Sequence, residues 1–577
     1  MAKNKALTPR VFDEARYIID FLNVPASKYP DKAAYIYSTG KEYITVTFRQ
    51  LQKLCYTLSN GIKKLGLDKA HIAVIGDKCV EWIATYLAVV NIGAVIVPID
   101  KDTDKEQLNS FLEFADCKAV IYTDRFSEHF NQTADSMPFM THFIRINRDI
   151  TTDKLVENAD FKDDRFINLE NALFPLAANE KLECEFDVEK MSTILFTSGT
   201  TGTSKAVMLS QKSICSCVNQ SLKFVDINYD DVLLSILPLH HTYEMAAGIL
   251  GAMMAGSTIC LNNRITALLS DLKYYRPTIM AVVPLVVNTI YNRIVDTAEK
   301  QGKTKLLAIA KKISAGLMKM GIDARQKLFS SVLEAFGGRL ETLVCGGAAL
   351  SPDLVRNFDV FGITVQQGYG ITECSPVIGI LPFDHIVPES CAKPLPGVQV
   401  FIDKEKADDE YGEICVKGDN VMLGYYKNPE ATAQVINDRK WFATGDLGYM
   451  DKDGFLYITG RKKNTIVLKN GKNITPEEIE EYLAKIPLVT DSMVTLREDD
   501  NGDEKITAII YPNYTRAEED GFGEPAALKK YFLENISKLN KTLVSYKHIR
   551  NIEIRKNPFP KTSTQKIQRH KVTKEEE

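Results

Sequence analysis

From His71 onward, short apolar runs alternate with longer amphipathic stretches. Ile72–Ile75 reads as a strand, Glu81–Ile92 as a helix, Ala94–Val97 as a strand, Thr103–Phe114 as a helix and Ala119–Tyr122 as a strand. This alternation predicts a parallel α/β sheet, because parallel strands need crossover helices between them. Ahead of it, residues 16–70 read as a helix, a polar extended segment and a second helix with Leu51, Leu54, Leu58 and Ile62 at helical spacing. Residues 125–190 carry no clear period.

Further along, Met191–Phe196 and Ala206–Leu209 read as two strands joined by a polar loop. Ser210 is placed to cap a helix running through Phe224, and Val232–Leu237 is a buried strand ending at Pro238. Ala246–Gly256 is a helix-like run of mostly small residues, a composition that suits either close packing or a cavity wall such as an acyl tunnel. Met253 or Met254 would then form its floor, and residues 281–291 another wall. Residues 270–285 repeat the helix-then-strand pattern. Residues 288–336 form a long lysine-rich helical stretch with Leu306, Leu307, Ile309, Ile313, Leu317 and Met318. Two readings fit it, a face packed on the protein or a face on a bilayer. The core-like spacing and the lack of an interfacial Trp favour packing on the protein.

Leu340–Val344 predicts a strand opening onto the small-residue turn Cys345–Ala349. Residues 411–458 are β-rich, with a hairpin signal at Asp451–Gly454. Beyond Gly460 the pattern becomes a compact α+β unit, with strands at Thr465–Leu468, Ser492–Leu496 and Ile506–Tyr511 and helices at Pro476–Ala484 and Pro525–Leu539. This divides the chain into residues 1–460 and 461–577.

A chain of 577 residues with 45% hydrophobic and 25% charged residues is too long for one core. Its net charge of −4 excludes a nucleic-acid binder that depends on a global positive field and leaves a nucleotide as the easier partner. The N-terminal stretch lacks the apolar core of a signal peptide, and no apolar run reaches spanning length, so the expected setting is cytoplasmic, with peripheral membrane contact left open. Eleven cysteines without a C-x-x-C pair read as reduced, mostly buried thiols.

The candidate chemistry starts in the loop Thr197–Lys205. Six hydroxyls, two glycines and one lysine make it a phosphate-loop candidate: glycine permits close backbone approach, hydroxyls and N–H groups donate to oxyanions, and the ammonium adds charge. Gln366–Glu373 offers the aromatic Tyr369, the hydroxyl of Thr372 and the carboxylate of Glu373, suited to stacking a base and to holding a Mg²⁺ that bridges phosphates. Asp446, in Thr444–Gly445–Asp446, reads either as an exposed turn residue, the commoner case, or as an acceptor for ribose hydroxyls.

Taken together, these stretches resemble the adenylate-forming superfamily over residues 30–573: the phosphate loop, Tyr369–Glu373, Thr444–Asp446, Gly460–Arg461 and the terminal Pro-Lys-Thr run occur in that family's order and spacing. Leu237–Glu244, the long helical insertion and the Gly-Gly-Ala turn look most like long-chain fatty acyl-CoA synthetases. The resemblance implies a large α/β N-terminal domain with a β-rich subdomain, and a small mobile α+β C-terminal domain hinged at Lys462 or Lys463. It also implies a two-step ligase using ATP, Mg²⁺ and coenzyme A: a fatty acid, of long chain by this resemblance, becomes acyl-AMP with release of pyrophosphate, and a thiol then displaces AMP.

By that resemblance Thr197, Ser198, Gly199, Thr200, Thr201, Gly202 and Lys205 hold phosphates. Gly346, Gly347, Ala348, Gln367, Gly368, Tyr369 and Gly370 bind the nucleotide, with Tyr369 stacking on its adenine. Thr372 meets the α-phosphate, Glu373 coordinates the metal, and Asp446 and Arg461 bind the ribose. Lys566 bridges carboxylate and α-phosphate as the catalytic lysine, while His241, Gly471 and Lys472 line the thiol path.

Three departures stand out. Ser204–Lys205–Ala206 replaces Pro-Lys-Gly, Gln565 stands where glycine is common, and Asn464 replaces an acidic residue. Competing readings are an acyl-carrier-protein synthetase with the same first step, a luciferase-like oxygenase, and a non-catalytic adenylate sensor. A Walker-type NTPase fails, because Ser204 stands where that loop needs glycine and a strand-like run follows.

Overall fold

The computed structural model describes residues 12–40, 42–146, 163–175, 182, 186–197, 205–262, 264–468, 472–498, 504–562 and 566–572. Its described residues group into two compact units, one of 12–197, 205–399 and 416–442, the other of 400–415 and 443–572.

In the first unit, the β-branched runs form strands buried on both faces. Among the described residues one sheet has eight strands, in the order Gly424–Tyr425, Lys205–Ser210, Met191–Thr197, Val95–Ile99, His71–Ile75, Cys117–Thr123, His142–Ile146 and Phe166–Asn168. Pairing is parallel from Met191–Thr197 outward to Phe166–Asn168 and antiparallel at the other edge. The sequence expectation of a parallel α/β sheet holds, and the featureless stretch after residue 125 supplies its last two strands.

Helix Val80–Asn91 is buried from Val80 to Val90, which is why its apolar residues run all round instead of along one stripe. Helix Phe48–Lys64 starts from a capping box in which Thr47 and Gln50 satisfy each other's backbone N–H groups. Ser210 caps Gln211–Ser221 as expected.

A second sheet of nine described strands has a parallel centre made of Thr364–Gly370, Thr342–Cys345, Ile279–Val282, Val232–Ser235, Thr258–Leu261 and Ala33–Ser38. Its core gathers Met280, Val282, Leu343, Phe358 and Phe361 with the inner faces of the helices that follow.

Two expectations change here. Tyr243–Leu250 is a π-helix that passes into the α-turn Gly251–Met254, where an ordinary helix was expected over residues 246–256. At Gly248 any Cβ would stand 2.9 Å from Glu244 Oε2, so the wide turn wraps a buried carboxylate that a larger residue would displace. The long stretch 288–336 divides into Pro284–Lys300, Thr304–Lys319, Arg325–Leu328 and Ser330–Glu334. The residues expected to pack on the protein divide: Leu307 does pack on it, whereas Leu306 is 61% exposed, Ile309 55% and Ile313 47%. Leu307 shares the core-facing side of its helix with Ala310 and the buried Ser314.

The second unit holds a four-stranded sheet in the order Gln399–Asp403, Gly412–Lys417, Phe442–Met450 and Leu456–Arg461, and a three-stranded sheet of Val489–Glu498, Glu504–Pro512 and Asn551–Ile554. The hairpin at Asp451–Gly454 forms as read, with the Asp451 carboxylate accepting from the N–H groups of Asp453 and Phe455 at 2.9 Å each. Helices Pro476–Leu483 and Pro525–Asn540 cover the three-stranded sheet through Ile479, Leu483, Leu528, Phe532 and Ile536.

Candidate active site

Strands Met191–Thr197 and Lys205–Ser210 are antiparallel neighbours, and Thr197 pairs with Lys205 across them. The phosphate-loop candidate therefore joins two strands, as its flanks implied. Ser198, Gly199, Thr200, Thr201 and Gly202 lie outside the described residues. At the closing pair, Thr197 Oγ1 donates to the Lys205 carbonyl at 3.3 Å.

Lys205 leads to a residue that the sequence did not single out. Its strand pairs on the other side with Gly424–Tyr425, which sets the Tyr425 ring 4.5 Å below the Lys205 ammonium. The Tyr425 hydroxyl donates to Glu373 Oε1 at 3.0 Å. Burial, then the adjacent Glu373 carboxylate, hold this phenol protonated far above the usual tyrosine range. Glu373 sits in the short turn Thr372–Cys374 after strand Thr364–Gly370, and its carbonyl accepts from Met422 N at 2.8 Å. Lys205, Tyr425 and Glu373 thus form a continuous string of cation, ring and carboxylate.

Tyr369 is buried near the end of that strand. Gln367 Nε2 donates to the carbonyls of Pro388 and Ser390 at 3.0 and 2.9 Å and so fixes the loop beside it. Gly370 packs so tightly that a Cβ would fall 1.9 Å from the Pro376 carbonyl oxygen. Gly346 follows strand Thr342–Cys345 and is buried, whereas Gly347 and Ala348 are exposed. A Cβ on Gly346 would stand 3.3 Å from the Tyr243 ring and 3.5 Å from the Gly368 carbonyl oxygen, so this turn joins the π-helix to the Tyr369 strand.

Tyr243 in turn donates to the Val344 carbonyl at 2.7 Å. Val344, Ala246, Ala247, Gly251, Leu222 and Val218 are among the residues that line a narrow apolar recess partly open to solvent. Small side chains on the π-helix side leave this apolar space, as one reading of residues 246–256 allowed. Met253 and Met254 are buried but do not line it. Beside the π-helix start, the His240 and His241 rings stand 4.3 Å apart and His240 Nε2 is 3.4 Å from Asp100 Oδ2. Burial pulls the His240 pKa down, and Asp100 opposes it.

Within the second unit, Asp446 and Arg461 face each other across their strands, with Arg461 Nε 2.8 Å from Asp446 Oδ1. Asp446 N donates to Thr444 Oγ1 at 3.1 Å, and Thr444 Oγ1 donates to the Ile414 carbonyl at 2.8 Å. Lys462 pairs with Glu413 at 2.7 Å. Burial first, then the neighbouring Arg461, bring Lys463 down to about 8.

Lys566 is exposed, and residues 563–565 before it lie outside the described residues. Its flanks are pinned by the Lys561–Ile567 bridge, by Thr562 N donating to the Lys566 carbonyl at 2.9 Å, and by Phe559 and Ile567 packing against Met493 and Ile509. Lys472 closes a small hairpin, its carbonyl accepting from Leu468 N at 2.9 Å, and Gly471 lies outside the described residues.

With this geometry in view, the sequence relationships are direct. Residues 22–426 match the AMP-binding enzyme family and residues 463–576 the AMP-binding enzyme C-terminal domain. The chain belongs to the AMP-binding enzyme family. It is 30% identical over 468 residues to the long-chain-fatty-acid–CoA ligase FadD15 of Mycobacterium bovis, an alignment spanning 76% of this chain and 74% of that one. It is 27% identical to the chloroplastic long-chain-fatty-acid–[acyl-carrier-protein] ligase AEE15 of Arabidopsis thaliana over 88% of this chain and 77% of that one. In fold it resembles the anthranilate CoA ligase AuaEII, with a TM-score of 0.75 at 19% identity over 97% of each chain.

Proposed function

We propose that this protein is an AMP-forming ligase that activates a long-chain fatty acid with ATP and passes the acyl group to coenzyme A. In the first step a carboxylate oxygen attacks the α-phosphorus of ATP, the bond to the β-phosphate oxygen breaks, and acyl-AMP and pyrophosphate form. In the second a thiolate attacks the acyl carbon, the bond to the phosphate oxygen breaks, and AMP leaves. Activation is needed because a free carboxylate is a poor electrophile with a poor leaving group.

The observation that carries this reading is the string Lys205–Tyr425–Glu373, in a unit that also holds an apolar space bordered by Ala246, Ala247 and Val344. A fixed cation and an oriented carboxylate suit a metal-bound polyphosphate, and an apolar recess suits an acyl chain. Mg²⁺ fits the residues present. No cluster of three or more His, Cys, Asp or Glu side chains able to hold a metal occurs among the described residues, and Mg²⁺ is commonly held by one carboxylate together with substrate phosphates. Glu373 would hold it, and when bound it supplies charge neutralisation to the phosphates.

The remaining roles follow family order. Thr197 and Lys205, with Ser198, Gly199, Thr200, Thr201 and Gly202, hold phosphates. Gly346, Gly347, Ala348, Gln367, Gly368, Tyr369 and Gly370 bind the nucleotide, Tyr369 stacking on adenine, and Thr372 takes the α-phosphate. Asp446 and Arg461 take the ribose, and Lys566 is the catalytic lysine. His241, Gly471 and Lys472 line the thiol path. Residues 461–577 act as the lid that carries Lys566.

A carrier-protein thiol is the second reading for the acceptor, favoured by the likeness to the acyl-carrier-protein ligase over 88% of the chain. Pyrophosphate release measured against acids of increasing length tests the substrate, and preference for acetate or an amino acid would overturn it. Offering coenzyme A and holo carrier protein side by side identifies the acceptor.

A further inference from the structure

Helix Thr304–Lys319 is anchored on one side and bare on the other. Inward, Leu307 and Ala310 meet the core, Ser314 Oγ donates to the Val360 carbonyl at 3.2 Å, and Lys311 Nζ donates to Asn357 Oδ1 at 2.9 Å and to the Tyr291 hydroxyl at 3.2 Å. Outward, Leu306, Ile309 and Ile313 recur at spacings of three and four and form one exposed apolar stripe, which exposed Met320 and Ile322 continue past the helix end. Single exposed leucines are ordinary, but a contiguous stripe on one helix marks an interaction surface.

Charge says what covers it. Lys305, Lys312 and Lys319 recur every seven residues and make a second exposed row, roughly a quarter turn around the helix from the stripe. Residues 303–322 contain five lysines and no Asp or Glu. The next acid, Asp323, is paired with Arg325 at 2.8 Å. A second copy docked on this face would set lysine rows against each other. A bilayer with anionic headgroups instead accepts the stripe among its acyl chains and the lysines among its phosphates, their stems lying along the apolar surface and their ammonium groups reaching outward.

We infer that Thr304–Lys319 lies along the headgroup region of an anionic bilayer and docks this protein on the surface where its acyl substrate partitions. The substrate clause rests on the ligase reading. The docking does not.

The test is co-sedimentation of the full chain with phosphatidylcholine vesicles, alone or containing phosphatidylglycerol. Partitioning should be at least about tenfold stronger onto the anionic vesicles and should fall at high salt. Ile309→Asp/Ile313→Asp should lose about tenfold or more of that binding, and Lys305→Gln/Lys312→Gln/Lys319→Gln should lose the preference for anionic lipid. Both variants should keep the parent's circular-dichroism melt and its pyrophosphate release with water-soluble octanoate.

Failure of the parent to sediment, equal sedimentation of both variants, or a parent dimer that the variants render monomeric would each overturn the docking. Because sedimentation requires no turnover, it stands apart from failure of the ligase reading, which pyrophosphate release alone reports.

Discussion

Tyr425 holds Glu373: its hydroxyl donates to Oε1 at 3.0 Å while its ring lies 4.5 Å below the Lys205 ammonium. One side chain therefore orients the proposed metal ligand and supports the proposed phosphate lysine. Tyr425→Phe removes the first function and keeps the ring. Loss of a partner that orients a ligating carboxylate commonly costs about 10–100-fold in metal affinity or activity. The Phe variant should need about tenfold more Mg²⁺ for half-maximal pyrophosphate release, with KM for ATP little changed. Tyr425→Leu, lacking the ring as well, should also raise KM for ATP. An unchanged Mg²⁺ requirement in the Phe variant would remove Tyr425 from the site.

Lys566 is assigned to the first step alone, so its loss should divide the two half-reactions. Removing a group that stabilises developing charge typically costs about 10²–10³ in rate. Lys566→Ala should slow acyl-AMP formation by about that factor, while thioester formation from supplied acyl-AMP stays within about threefold of the parent. Its loop is braced by Phe559, Ile567 and the Lys561–Asp491 pair at 2.8 Å, so the substitution leaves the supporting fold in place. Equal loss of both steps would contradict the assignment.

The family was legible because order and spacing of motifs survive in sequence, as did the alternation of strand and helix behind Ile72–Ile75 and Val95–Ile99. Other features were not legible, for physical reasons. The stripe Leu306–Ile309–Ile313 has the same period whether it is packed on the protein or left exposed, so spacing alone did not tell which side of the helix faces the core. The π-helix depends on Glu244 being buried against Gly248, a tertiary condition absent from local pattern. Tyr425 reaches Glu373 only because strand Gly424–Tyr425 pairs with Lys205–Ser210, and that cross-strand register joins segments distant in sequence.

Ala247 borders the apolar space from the π-helix side and is half-buried. Ala247→Phe should therefore fill the recess from its wall. Each methylene excluded from an apolar site changes discrimination by about 1–3 kcal/mol. The variant's kcat/KM for palmitate should fall by at least about tenfold, with octanoate changed less than about threefold. A uniform loss across chain lengths would show that the recess does not hold the acyl chain.

Beside the π-helix, Lys78 and Glu244 form a buried pair, 3.7 Å apart, that also holds Ser235: Lys78 Nζ donates to Ser235 Oγ at 2.9 Å and the Ser235 hydroxyl donates to Glu244 Oε1. Removing one partner strands the other charge, so Lys78→Met should cost about 3–5 kcal/mol in urea unfolding, and Lys78→Met/Glu244→Gln should recover most of it. A pH signature accompanies this. Burial brings the Lys78 pKa down from the usual 10.5 to about 8, with Glu244 opposing the change. Between those values the unfolded chain binds this proton and the folded protein does not. The contribution of Lys78 to stability therefore rises with pH through the window from about 8 to 10.5 and is flat below it. The stability difference between parent and Lys78→Met should widen as urea melts are repeated from pH 7.5 to 10. A difference that stays constant over that range would mean Lys78 titrates normally, and the buried pair would lose its electrostatic meaning.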